Sequence, residues 1–259
     1  MIEYVGMVKG KNDSIFLKFA RQFNELLLLL DYSSIKPIYY KKFEYLTFLV
    51  PLNNSFFMKS DGSEMFDYDY GQGTAFLVKD IGIISNYHVF EYVIEALEEG
   101  SQPLNGMYFV ELHQETEVKK EIKVKIAEYS EENDLVLLIP EDERILRTGF
   151  DYSEAIPNRA EEISLLGFPE YNDGDQLKNQ KGNYLRTTRK ADEERYEISQ
   201  TIFRGNSGGP VLNADSEVFG VATEGRGTHL NILIPIKYIH DMKELNYPKD
   251  ETLAIHFEV

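Results

Sequence analysis

Apolar residues recur along this chain in two different rhythms. Between residues 13 and 31, Phe16, Phe19, Phe23, Leu26, Leu27 and Leu30 return at three- and four-residue steps. That spacing predicts an amphipathic helix, with Asp13 or Ser14 available to cap its start. Pro37 then interrupts the pattern. From about residue 43 the rhythm changes to short apolar runs bounded by turn-forming and charged residues. These runs predict strands near 45–52, 74–79, 82–86, 107–113, 121–129 and 134–139. A second set follows near 162–168, 184–189, 195–201, 209–213, 217–224 and 229–235. Two sets of six suit two packed antiparallel β-barrels, because closure removes exposed sheet edges.

The expected fold is therefore mostly β: two six-stranded antiparallel barrels with an N-terminal helical extension and a C-terminal helix. The extension covers residues 1–42 and the barrel domain 43–245. Within it, barrel one takes about 43–140, barrel two about 160–235 and the terminal helix about 236–245, leaving a tail at 246–259. A short helix is predicted after His88, with Phe90, Val93, Ile94 and Leu97 on one face and Gly100 at its end. Residues 140–160, rich in charge and turn formers, read as the linker between barrels. Residues 169–183 read as the longest polar loop of the second half. For the N-terminal helix two roles stand: a brace packed on the barrels, or a docking and regulatory element.

Composition narrows the setting. The chain has 259 residues, 44 acidic against 27 basic, and a formal net charge of −17. Such a field repels nucleic acid and anionic membranes, so neither is expected as a partner. It contains no cysteine, which excludes a disulfide framework and thiolate metal sites. The leucine run 26–30 is too short to span a bilayer, and Met1–Gly6 lacks the basic and apolar regions of a secretion signal. A cytoplasmic location is expected. No metal or other cofactor is called for. Gly71-Gln72-Gly73 precedes a strand without the helix that a phosphate-binding loop requires.

The chemistry concentrates in Gly205-Asn206-Ser207-Gly208-Gly209-Pro210. A serine hydroxyl is a poor nucleophile at neutral pH and needs an adjacent base. A glycine two residues before the serine lets the chain turn so that the N–H groups of Gly205 and Ser207 converge on one point, where an oxyanion can be held. A base is available upstream in Ser85-Asn86-Tyr87-His88-Val89, and an orienting carboxylate in Asn133-Asp134-Leu135-Val136-Leu137-Leu138. Asp134 stands at the mouth of an apolar strand, where a partly buried carboxylate needs a partner such as the His88 Nδ1–H.

The segments GTAFLV, SNYHV, NDLVLL and GNSGGP, in His, Asp, Ser order, resemble the chymotrypsin-fold peptidases, most closely the bacterial HtrA/trypsin-like branch. The resemblance spans roughly residues 43–245. It implies a serine endopeptidase with His88, Asp134 and Ser207 as triad and Gly205 and Ser207 as oxyanion hole. It also implies a substrate site at Thr201, Arg204, Thr223 and Gly225. Thr201, six residues before Ser207, is small and neutral and so disfavours Arg or Lys as the residue bound before the scissile bond. The strand at Thr223–Gly225 would pair with the substrate backbone. Arg204 stands where many relatives have proline. Asn206 stands where secreted relatives have an aspartate that pairs with a freed N-terminal amine, so activation of that kind is not expected. No PDZ domain, common in the HtrA branch, is evident. The expectation is a regulated cytoplasmic bacterial protease, a stress or defence effector, acting on protein or peptide, with an activating partner protein as a candidate switch. The alternative is a catalytically silent or partner-activated peptide-binding module.

Overall fold

The computed structural model describes residues 43, 45–51, 53–58, 65–70, 72–100, 102–103, 109–114, 120–190, 192–223 and 231–245. The chain divides into two compact units, Met1–Phe43 and Glu44–Val259. The expected N-terminal helix and the C-terminal tail lie outside the described residues. In chain order the strands of the first half are β1 (Thr47–Val50), β2 (Asn53–Met58), β3 (Met65–Tyr70), β4 (Gly73–Val78) and β5 (Gly82–Ser85). Helix α1 (Tyr87–Glu98) follows, then β6 (Gln102–Pro103), β7 (Phe109–Gln114), β8 (Lys120–Ser130) and β9 (Leu135–Pro140). The second half holds β10 (Glu162–Gly167), β11 (Lys178–Lys190), β12 (Glu193–Ile198), β13 (Pro210–Leu212), β14 (Val218–Thr223) and β15 (Ile232–Pro235). A last short strand is β16 (Lys243–Glu244).

Six strands of the first half run in the order β8-β7-β1-β4-β5-β9, and β8 also pairs with β9. The β8–β9 pairing slips register between Ile126 and Glu128. Such a bulge bends a strand and sharpens its twist. The second half is a closed barrel in the order β10-β11-β12-β15-β14-β13. Its interior is built on Tyr184, Tyr196 and Phe219, with Ile163, Leu165, Val211 and Leu233 around them. Tyr196 stacks on Phe219 and both meet Tyr184 edge-on. Such aromatic pairs add about 0.5–1.5 kcal/mol beyond their buried area.

The terminal helix and the polar loop differ from expectation for physical reasons. The terminal helix is shorter than predicted: Ile236–Asp241 is a 3₁₀ helix, Met242 is extended, and β16 then pairs with β8. Leu245 is buried and its N–H bonds the Ala127 carbonyl at 2.9 Å, so burial of this one side chain pulls the segment out of helix. Lys178–Asn183, read as loop, is the first half of β11, paired with β10. Its polar side chains gave the apolar pattern nothing to show. The β2–β3 hairpin, paired from Asn53↔Tyr70 to Met58↔Met65, was not predicted, although Phe66-Asp67-Tyr68-Asp69-Tyr70 alternates aromatic and acidic residues.

The inter-barrel linker is sewn to both barrels. Phe150 N–H bonds the Leu77 carbonyl at 2.8 Å, and the Phe150 carbonyl accepts from Lys79 N–H at 3.1 Å. Three residues on, Ser153 N–H bonds the Val218 carbonyl at 2.9 Å. Gly149 makes the approach to β4 possible: a Cβ there would lie 2.4 Å from the Lys79 nitrogen. Among the described residues no helix is long and apolar enough to cross a membrane.

Candidate active site

Residue Asn86 stands at the N-cap of α1, a position that favours Asn because its side chain can bond the first free N–H groups. Here that side chain makes no cap bond. Its Nδ2 donates to the Asp134 carbonyl at 2.9 Å instead. One helix cap is thus given up to tie α1 to the turn before β9. That turn closes with Asp134 N–H on the Glu131 carbonyl at 3.1 Å, and Asp134 adopts φ 54°. Aspartate is among the few non-glycine residues that tolerate this left-handed region.

The bend aims the Asp134 carboxylate at the first turn of α1. His88 Nδ1 lies 2.9 Å from both carboxylate oxygens, and the His88 backbone N–H donates to Oδ1 at 3.0 Å. From barrel two, the Thr223 hydroxyl donates to Oδ2 at 2.7 Å. Burial opposes the carboxylate charge. The His88 side chain, its backbone N–H and Thr223 outweigh that cost and hold the Asp134 pKa below the usual carboxylate value. Both side chains keep some access to solvent, 26% for His88 and 24% for Asp134. With Nδ1 directed at the carboxylate, Nε2 is the ring nitrogen left for chemistry.

The Ser207 loop is fixed by contacts that require glycine. Gly205 and Gly208 have φ of 92° and 83°. A Cβ on Gly205 would lie 2.3 Å from the Phe168 carbonyl oxygen, and one on Gly208 would lie 2.2 Å from that of Thr74. Three N–H groups of the loop are used internally: Asn206 on Phe203, Gly208 on Ala222 and Gly209 on Asn206. Among the described residues, the N–H groups of Gly205 and Ser207 meet no protein acceptor. The Arg204 carbonyl accepts from Glu170 N–H at 2.8 Å. In a trans peptide this directs the Gly205 N–H to the opposite side.

Barrel one supports the same loop. Thr74 N–H donates to the Ser207 carbonyl at 2.8 Å, and the Thr74 hydroxyl donates to the Gly205 carbonyl at 2.7 Å. The hydroxyl also accepts from Phe168 N–H at 3.2 Å. Ser85 Oγ bonds the Thr74 carbonyl at 2.8 Å, so the strand before His88 and the strand under Ser207 are cross-linked. Ser207 itself is 3% exposed, and among the described residues it forms no hydrogen bond to the His88 ring. Asn206 is buried and donates to the Gln180 side chain at 2.9 Å.

The structure thus joins His88 to Asp134 and sets Ser207 and Gly205 on the loop under β4. Thr201 and Arg204 are exposed on the segment between β12 and β13. Thr223 ends β14 with its hydroxyl committed to Asp134, a contact its place in the sequence did not announce. Gly225 lies outside the described residues. Thr74 was also missed as a site residue: a single threonine in a buried strand carries no signal of the loop it meets. No group of three or more His, Asp or Glu among the described residues is arranged to hold a metal.

Two barrels with this loop and this hydrogen-bonded His–Asp pair match a trypsin-like peptidase, and sequence comparison agrees. Residues 73–221, more than half of the chain, match the family model described as a trypsin-like peptidase domain. The chain belongs to this family. No curated protein matches it in sequence. Among solved structures it is similar to Deg5, at 19% identity with a TM-score of 0.59, covering 82% of this chain and 94% of Deg5. It is also similar to the Rv3671c protease of M. tuberculosis in its active form, at 13% identity and a TM-score of 0.54, covering 85% of this chain and 88% of that one. At these identities the likeness is one of fold.

Proposed function

We propose that this chain is a serine endopeptidase that cleaves polypeptides through an acyl-enzyme on Ser207. The observation that carries the reading is the doubly hydrogen-bonded His88–Asp134 pair beside a serine loop whose Gly205 and Ser207 N–H groups are left undonated.

His88 Nε2 takes the Ser207 proton as Oγ bonds to the scissile carbonyl carbon. The carbonyl oxygen becomes an oxyanion and accepts from the two free N–H groups, a contribution that mutagenesis elsewhere values at about 3–4 kcal/mol per donor. Asp134 keeps the proton on Nδ1 and stabilises the imidazolium. Collapse breaks the C–N bond, and the amine leaves with the proton from Nε2. Water then attacks the acyl-enzyme with His88 again as base, releasing the acid and restoring Ser207. Thr201 directs preference toward uncharged residues before the scissile bond, Arg204 contacts the substrate at the rim, and the Thr223–Gly225 strand pairs with its backbone. The proposed setting is the bacterial cytoplasm, as a regulated stress or defence effector of the HtrA-like kind.

One observation favours a second reading. Ser207 does not bond His88 among the described residues, as expected of a site that a partner or substrate completes. Labelling with a fluorophosphonate tests both. Wild-type protein is expected to label and Ser207→Ala and His88→Ala not to. Labelling that survives Ser207→Ala would overturn the protease reading. A folded wild type that labels only after a partner is added would establish the second.

A further inference from the structure

Arginine is seldom buried without a carboxylate partner, since taking an unpaired charge out of water costs several kcal/mol. Arg195, on β12, is 6% exposed. Its hydrogen bonds go to backbone carbonyls: Nη1 to Glu194 at 2.8 Å and Nη2 to Glu132 at 3.3 Å. Its guanidinium lies over the Tyr238 ring, 5.6 Å from the centroid. Tyr238 belongs to the 3₁₀ helix after β15, and its hydroxyl accepts from Glu194 N–H at 3.2 Å. Glu132, the carbonyl that Arg195 reaches across the barrels, stands two residues before Asp134 in the turn that presents the carboxylate.

We propose that Arg195 is a positioning residue for the Asp134–His88 pair, and the proposal rests on the protease reading of that pair. It acts in two ways. The guanidinium grips the turn through the Glu132 carbonyl, and its charge favours Asp134 as carboxylate and His88 as the neutral base. The charged and titratable groups around Arg195 are Tyr238 and Lys237 from the 3₁₀ helix, Glu193 and Glu194 from β12, and Glu132 and Asp134 from the turn; Lys237 lies 5.5 Å from the Tyr238 centroid and pairs with Glu194 at 2.8 Å. Burial is the largest influence on the guanidinium and lowers its pKa, while Tyr238, Glu193, Asp134 and Glu132 all favour its charge. The bond to the Glu132 carbonyl joins the guanidinium to the turn that carries Asp134.

A purely structural arginine and a positioning one differ in what they do to protonation. The test is an NMR titration of the His88 ring in the full chain carrying Ser207→Ala, alone and with Arg195→Gln or Arg195→Lys. The His88 signal is assigned by its loss in His88→Ala. Arg195→Gln keeps a donor and removes the charge, so imidazolium becomes easier to form. The His88 midpoint is expected to rise by roughly 0.5–1 pH unit relative to the parent, the scale of one nearby charge at a partly buried site. Arg195→Lys keeps the charge and is expected to leave the midpoint in place. A folded Arg195→Gln protein with an unmoved midpoint overturns the proposal.

Fluorophosphonate labelling against pH, with Ser207 restored, gives a second arm should Arg195→Gln not fold. Arg195→Lys is then expected to label severalfold more slowly with the same pH midpoint, since lysine lacks the planar fork and its stacking. A wild-type rate in Arg195→Lys, or a shifted midpoint, overturns the proposal. Failure of folded wild-type protein to label counts against a ready-formed protease site and not against Arg195, which the ring titration then decides.

Discussion

Replacing Thr74 by valine keeps the shape of a fully buried side chain and deletes one oxygen. That oxygen donates to the Gly205 carbonyl at 2.7 Å and accepts from Phe168 N–H at 3.2 Å. Both groups lie inside the protein, so each is left short of a partner. An orphaned buried polar group costs about 1–3 kcal/mol, giving about 2–6 kcal/mol for the pair. For a domain of this size that is a fall in melting temperature of about 4–24 °C. The loss falls on the Gly205–Asn206 peptide, which lies between the two peptides that carry the oxyanion donors. Removing one such donor outright costs about 10²–10³ in rate, and Thr74 only holds the peptide between the two donors, so a drop of about 10–100-fold is expected. The assay is the second-order rate of fluorophosphonate labelling beside a thermal melt, with Thr74→Ser as control. Serine keeps the hydroxyl and is expected to recover most of the labelling rate. A Thr74→Val protein that labels and melts like wild type would refute the claim that barrel one holds the oxyanion loop.

Three further outcomes are expected. Gly208→Ala combines a φ of 83° with a Cβ 2.2 Å from the Thr74 carbonyl oxygen, so it should lose about 3–5 kcal/mol in a urea melt; a loss under about 1 kcal/mol would contradict the loop geometry. Asp134 is held below its usual pKa, so its contribution is fully present above the unfolded carboxylate value and is lost as pH falls through the folded one. The stability gap between wild type and Asp134→Asn should therefore stay level from pH 7 to about 5 and shrink below about pH 4, and a gap that stays level to the acid limit would argue against an ionised pair. In a fluorogenic peptide library, uncharged residues before the scissile bond should exceed Arg and Lys, and the opposite ranking would remove Thr201 from the specificity site.

Some of this was legible in the sequence because it depends on local rules. Glycines flanking Ser207 announce a turn, the apolar run after Asp134 announces β9, and the stripe Phe90, Val93, Ile94, Leu97 announces α1. These features arise within a few residues of themselves. What stayed hidden is contact between distant segments. Thr223 reads as a strand residue until β14 brings its hydroxyl to Asp134, and Arg195 reads as a solvated charge until β12 buries it. The first half of β11 was hidden because polar residues can hold a strand through backbone pairing alone. The residues after Asp241 were misread as helix because the burial of Leu245 outweighs local helical preference.

The site is held crosswise: Thr74 of barrel one steadies the Ser207 loop of barrel two, and Thr223 and Arg195 of barrel two steady the Asp134 turn of barrel one. A chain still being synthesised, with its first barrel complete and its second in the ribosome, therefore owns a histidine and an aspartate but no hydrolytic machinery. The same applies to any state in which one barrel has come undone. On the protease reading, cleavage waits until both barrels have closed, so a half-made chain is no hazard to its neighbours.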